Sequence, residues 1–370
     1  MNLYFDHNAT SPLRQRVREG IIRALKEGIG ANPSSVHREG RKAKKHLENA
    51  RQNIAKHFSC APSQILFTSG ACESIRIAWE KYSHTNSKIL TSPIEHSCVL
   101  SSAKKAQRQG SQVDVLKVLS SGALSDSAAK HDYDFISLQK ANNETGLLYD
   151  LSPYRSHLGP KGVMFCDAVQ AAGKTELSFS TKPYDLMAIA GHKLGALSGI
   201  GMLIFKDASM IEPILEGSQE RGLRAGTENL LGILSVDYAL QELKESGEKE
   251  QQSIRQLRDD FEKELKQRIS DIEITGEQLP RLYNTSHVQF RGLDGESLVT
   301  ALDLEGFCVS MGSACSSGTI EPSHVLLAMG MSRKSALSSL RFSFGWNHRQ
   351  EDIEKLLDSL PAIVDRVRKG

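Results

Sequence analysis

Three side chains in this sequence stand where reactive groups are usually found. Cys315 lies in GSACSSG (residues 312–318), a run too rich in Gly, Ser and Ala for a core strand, with no partner cysteine nearby. Such a thiol is either a discarded surface residue or a nucleophile that has to travel. Lys193 directly follows the apolar run DLMAIAG (185–191), at the carboxyl end of an expected strand, where sites form in α/β sheets. An ammonium is costly to bury there, so Lys193 either snorkels to solvent or forms a Schiff base with a carbonyl cofactor. Asp167 ends a second apolar run, VMFCDA (163–168), and Gln170 follows three residues later.

Lys193 and Asp167 together suit pyridoxal phosphate. That cofactor needs a carboxylate against its ring nitrogen and a donor for its phenolic oxygen, which Gln170 could provide. Asp167 would equally cap the short turn AVQAAG, and the two roles are compatible. In TSGACES (68–74) a strand passes through a glycine turn into a helix, whose first N–H groups would receive a phosphate. His96, in PIEHSCVL, opens another helix after a strand, where an imidazole either stacks on a flat cofactor or is a satisfied structural residue.

The elements that must position these residues follow from apolar patterning. ILFTSG (65–70), KILTSP (88–93), YDFISLQKA (133–141), VMFCDA, DLMAIAG and IGMLIF (200–205) are apolar runs, several of them joined by amphipathic helical stretches. This pattern predicts an α/β fold, a mostly parallel sheet covered by helices on both faces. A long charged helix from about Asn229 to Ile269 suits a bridge between two domains. Beyond it, DIEIT (271–275), NTSHVQF (284–290) and LRFSFG (340–345) read as strands, with helices over 294–306 and in the closing RQEDIEKLLDSLPAIVDRV. The boundaries expected are a large domain over 15–250 and a smaller α+β domain from 1–14 and 251–370. The helices around 13–27 and 37–57 could pack with either, and a ligand is expected near the domain seam.

Composition removes other classes. With 46 basic against 44 acidic residues the net charge is +2, no basis for holding nucleic acid. No stretch approaches the ~20 apolar residues of a membrane helix, and MNLYFDHNATSPL lacks the basic-then-apolar order of a signal peptide, so a cytoplasmic protein is expected. The six cysteines (Cys60, Cys72, Cys98, Cys166, Cys308, Cys315) form no CxxC pair or His/Cys cluster in sequence, which argues against disulfides and a zinc site. Except for Cys315, most are expected to be buried small hydrophobes.

YFDHNATSPL, NPSSVHREGR, FTSGACES, EHSCVL, NNETG, DAVQAAGK, GHK, RGLRAGTEN, GSACSSG and RFSFG occur in this order across nearly the whole chain. In that combination the chain resembles the cysteine desulfurases, class V pyridoxal phosphate enzymes of fold type I, in the branch with a long catalytic loop. The resemblance implies that Lys193 binds the cofactor covalently, Asp167 pairs with its ring nitrogen, Gln170 with its phenolic oxygen, and His96 stacks on the ring. It puts Asn143 near that oxygen and the substrate, and gives the phosphate to Ala71, Cys72 and His192. Thr227 would reach the phosphate from the neighbouring subunit of a homodimer, and Arg341 would clamp the substrate carboxylate. Cys315 would be the nucleophile that takes sulfur from L-cysteine as a persulfide, leaving L-alanine. Gly312 and Gly318 would give its loop the freedom to deliver that sulfur to an acceptor protein, such as an iron–sulfur scaffold or a tRNA-thiolation carrier.

The sequence departs from the family pattern around the phosphate. Ala190 stands where the family usually has a hydroxyl residue, Cys72 where it has threonine, and GALSGIG (195–201) replaces a Gly-Pro-Lys form. Each lost hydrogen bond costs about 0.5–1.5 kcal/mol, and water or neighbouring side chains are expected to fill the gaps. Two other readings remain at this stage: a different class V enzyme, such as a selenocysteine lyase or aminotransferase, or a non-catalytic scaffold that binds sulfur carriers.

Overall fold

The computed structural model describes residues 2–84, 86–125, 132–311 and 321–369; Cys315, Gly312 and Gly318 lie outside the described residues. The described chain runs through β1 (Leu3–Tyr4), α1 (Gln15–Lys26), α2 (Arg38–Phe58), β2 (Ile65–Thr68), α3 (Ala71–Glu80), β3 (Lys88–Thr91), α4 (Ser97–Arg108), β4 (Gln112–Val115), β5 (Tyr133–Gln139), β6 (Leu158–Asp167), β7 (Leu186–Ala190) and β8 (Gly201–Phe205). It continues through α5 (Leu230–Arg268), β9 (Ile272–Ile274), β10 (Thr285–Phe290), α6 (Gly295–Leu304), β11 (Phe307–Cys308), α7 (His324–Ala328), α8 (Arg333–Leu337), β12 (Ser339–Ser343) and α9 (Gln350–Lys369).

Seven strands form one sheet in the order β2-β8-β7-β6-β5-β3-β4. The pairs β4–β3, β3–β5, β5–β6 and β6–β7 are parallel, while β8 runs antiparallel to both β7 and β2. The sheet is therefore mostly parallel, as the apolar runs predict. Alternation along each strand sends successive side chains to opposite faces. Phe67, Met164, Met187 and Met202 join a core with α2 and the first half of α5. Leu66, Phe165, Leu186 and Leu203 join a second core, with Trp79 of α3 and Val99 of α4.

A smaller unit is built on β9, β10 and β12, with α6, α9 and the strands β1 and β11. Helix α5 serves both units. Leu230 through Leu243 pack with the large sheet, and Ile254 through Leu265 pack with Phe342, Phe344 and α9. The Asn229 side chain accepts the Gly232 N–H at its start, and Lys266 and Arg268 face the negative end of the helix dipole. Arg14 ties the N-terminal segment to this helix, donating to Glu242 at 3.1 Å and to Glu250 at 2.8 and 2.9 Å. No helix among the described residues is long and apolar enough to cross a membrane.

Candidate active site

The carboxyl ends of β2, β3, β5, β6 and β7 open at one edge of the sheet, and the antiparallel β8 starts there. A cleft of about 680 Å³ lies at this edge, lined by large-sheet residues together with Ser310 and Arg341 of the smaller unit and Asn8, Ala9 and Thr10. It brings together Ala71, Cys72, His96, Asn143, Asp167, Gln170, His192, Lys193 and Arg341, nine residues expected there from sequence.

Lys193 closes the short turn Gly191–Lys193 that follows β7, and Nζ donates to the carbonyls of Asn8 and Ala9, each at 2.6 Å. Burial, reinforced by the Arg341 charge, pulls its pKa down from 10.5 to about 8. Asp167 ends β6 and is buried; Oδ1 accepts the Val169 N–H at 3.0 Å, and no cation pairs with it among the described residues. Burial pushes its carboxyl up, opposed by that hydrogen bond and by the charges of His96 and Lys193. Gln170 gives one amide hydrogen to Asn8 O at 2.9 Å, and its Oε1 accepts from Lys174 at 3.0 Å, which leaves its second amide hydrogen available.

Arg341 reaches the cleft from β12. Its Nη1 donates to Asn143 O at 2.8 Å and Nη2 to Asp6 at 2.6 Å, while the buried Nε has no partner. Backbone hydrogen bonds between Ser310 and Arg341 bind the chain before residue 312 to the same strand. The main chain of Asn143, rather than its side chain, thus holds the guanidinium in place.

The expected phosphate end is the start of α3. Gly70 precedes it with no side-chain cap, so the first N–H groups have no side-chain partner. The Gly201 backbone abuts it: a Cβ there would fall 2.6 Å from Gly70 Cα. His192 Nδ1 lies 3.1 Å from Thr10 Oγ1, and burial lowers its pKa to about 4, so the ring is neutral. Near the missing donors at Ala190 and Cys72, Ser69 and Ser198 also line the cleft.

Two expectations about cysteine are corrected. Of the five described cysteines only Cys166 is buried; Cys72 is exposed, and Cys60, Cys98 and Cys308 are partly so. The scattered spacing also hid a cluster. Donor atoms of Cys72, His96 and Cys98 all lie within 4.8 Å of one another, because α3 and α4 start side by side at the cleft. His96 caps α4, its Nδ1 2.9 Å from Cys98 Sγ. Burial lowers the His96 pKa. The Cys98 thiol stabilises the Cys72 thiolate and brings its pKa down to about 6, whereas Cys98 itself is pushed up.

The other two residues expected at this cleft are Thr227 and Cys315. Thr227 is exposed and outside its lining, and Cys315 lies outside the described residues. Asn8 was missed. Its carbonyl accepts from Lys193 and Gln170, its Oδ1 from Lys174 and Asn284, and its Nδ2 donates to Thr285 at 2.9 Å and Asn143 O at 3.2 Å. The only sequence signal for it was its place inside YFDHNATSPL.

A profile of the family described as "Aminotransferase class-V" matches residues 3–356. The chain is 36% identical to "Cysteine desulfurase IscS" of Dictyoglomus turgidum, over 99% of this chain and 95% of that protein. A solved structure described as a "NIFS-LIKE PROTEIN" superposes with a TM-score of 0.90 at 30% identity, over 99% of this chain and all of that one. Another, "SspA in complex with cysteine", gives 0.80 at 27% identity over 93% of this chain and 99% of its own.

Proposed function

Since the chain belongs to the class V aminotransferase family, we propose that it is a cysteine desulfurase, converting L-cysteine to L-alanine with the sulfur held as a persulfide on Cys315. The observation that carries this reading is one cleft that holds Lys193, Asp167, His96 and Arg341 together.

The donor set fits pyridoxal phosphate. Asp167 is a buried carboxylate without a cationic partner among the described residues, and a protonated ring nitrogen is the counter-charge it lacks. The uncapped start of α3 offers N–H groups and a helix dipole to a phosphate, at Ala71 and Cys72, beside His192. When bound, the cofactor supplies an electron sink for bonds broken at the substrate's α- and β-carbons.

The chain's own residues do the rest. Lys193 holds the cofactor, and once free its amine moves the α-proton; a pKa near 8 keeps part of it neutral for that task. Gln170 offers its remaining amide hydrogen to the phenolic oxygen, with Asn143 nearby. His96, neutral near pH 7, stacks on the ring. Arg341 binds the substrate carboxylate, with Asp6 and Asn143 O fixing its plane. The Cys315 thiolate attacks the substrate sulfur, so an S–S bond forms as the C–S bond breaks. Thr227 completes the phosphate site from a second subunit, and the persulfide passes to a thiol of an acceptor protein, an iron–sulfur scaffold or a thiolation carrier.

The test is release of alanine and sulfide from L-cysteine in the presence of a thiol reductant. Cys315→Ser is expected to lower turnover by roughly 10³-fold while the visible absorbance of bound cofactor remains. Unchanged turnover in that variant would overturn the mechanism.

A further inference from the structure

Cys72 and His96, assigned above to phosphate and ring contacts, stand beside Cys98, which has no such role. Cys72 is the second residue of α3 and Cys98 the second of α4, and His96 immediately precedes α4. Two helix starts thus converge on one point with two sulfurs and one imidazole nitrogen.

The distances suit a shared metal ion. In tetrahedral zinc coordination, neighbouring S and N donors stand about 3.5–3.8 Å apart. Here His96 Nδ1 is 2.9 Å from Cys98 Sγ, and the three donors lie within 4.8 Å of one another. Small side-chain rotations bridge the difference. Two sulfurs and an imidazole select a soft or borderline ion over magnesium or calcium. Three protein ligands leave a fourth position open to the cleft, occupied by water or by a small thiol.

We propose that Cys72, His96 and Cys98 form a zinc-binding site at the cleft wall in the cofactor-free chain. On binding, both sulfurs coordinate as thiolates, and the protons that the thiols carry leave to solvent. Because Cys72 and His96 are also assigned to the cofactor, zinc and pyridoxal phosphate exclude one another; this corollary alone rests on the proposed function.

The test uses the full-length Cys315→Ser chain, so that this thiol cannot contribute, freed of cofactor and titrated with Co²⁺ as a coloured substitute for zinc. One Co²⁺ per chain is expected, with thiolate-to-cobalt charge-transfer absorbance that Zn²⁺ removes. Cys72→Thr and Cys98→Ser are each expected to weaken binding by more than roughly 100-fold. Saturating pyridoxal phosphate is expected to displace the metal. Absence of the absorbance, or unchanged affinity in both variants, overturns the site, and metal retained at cofactor saturation overturns its position. A chain that binds Co²⁺ as described but no cofactor would instead overturn the proposed function, because the metal is read before any cofactor is added.

Discussion

Glu95 sits directly before His96 and is buried. Its Oε1 accepts from the Ser92 hydroxyl at 2.6 Å and the Gln139 N–H at 3.1 Å, while Oε2 has no partner. Burial pushes its pKa from 4.5 up to about 8, although the Ser92 hydrogen bond opposes this. The folded chain therefore keeps a proton that the unfolded chain has lost above pH 4.5. Stability from this group is complete below that pH and is lost as pH rises through about 8. Glu95→Gln keeps the shape and removes the titration. From about pH 5 to about pH 9, thermal unfolding should shift in favour of the variant by roughly 4 kcal/mol. A variant-to-wild-type difference that ignores pH would mean that Glu95 is charged in the fold. At this scale, legibility followed distance in the chain. Lys193, Asp167, Gln170 and His96 could be read because each follows an apolar run and its chemistry is local. Asn8 could not, since its partners lie 135 to 335 residues away. Cys98 looked like a core residue until α3 and α4 set it beside Cys72.

The end of the cleft proposed to take the phosphate depends on how closely two elements meet. Gly201 opens β8, and a Cβ there would lie 2.6 Å from Gly70 Cα and carbonyl carbon and 2.9 Å from Ala71 N. All three are backbone atoms that cannot rotate aside, so Gly201→Ala must move the start of α3 or the start of β8. Overpacking of this kind costs about 1–3 kcal/mol, and the cofactor's dissociation constant should rise roughly tenfold or more with a lower thermal midpoint. Gly30→Ala, where a Cβ meets nothing within 4 Å, is the control. Equal behaviour of the two variants in an absorbance titration would show that the close approach does not matter. Helix α5 was legible almost to the residue, because its charged face and its Asn229 cap mark both extent and start. The parallel pair β1–β11, only two residues on each side, carries no periodicity, and the half-exposed β4 has little apolar signal. Such strands exist through partners that the sequence does not place beside them.

Across the whole molecule, α5 and the Arg14 ion pairs tie the two packed units together, with the cleft between them. Thr227 is exposed and outside that cleft, on a segment where Arg224 pairs with Glu73 at 2.8 Å beside the start of α3. Ile22, Leu25 and Val36 are also exposed, apolar surface that a second copy could cover. A site completed by the neighbouring subunit makes a quantitative prediction. On that proposal Lys193→Ala removes the amine that holds the cofactor, and Thr227→Asp sets a carboxylate against its phosphate, so each homodimer should be nearly inactive. In dimers that mix the two chains, the Lys193 of one and the Thr227 of the other meet in a single intact site. Random co-assembly makes half of the dimers mixed, each with one working site, so activity should return to about a quarter of wild type. If Thr227 acts within its own chain, every site in the mixture lacks one residue and activity stays at the level of the parents. Sedimentation of the same samples, with desulfuration assayed on the dimer fraction, separates a missing interface from a missing contact.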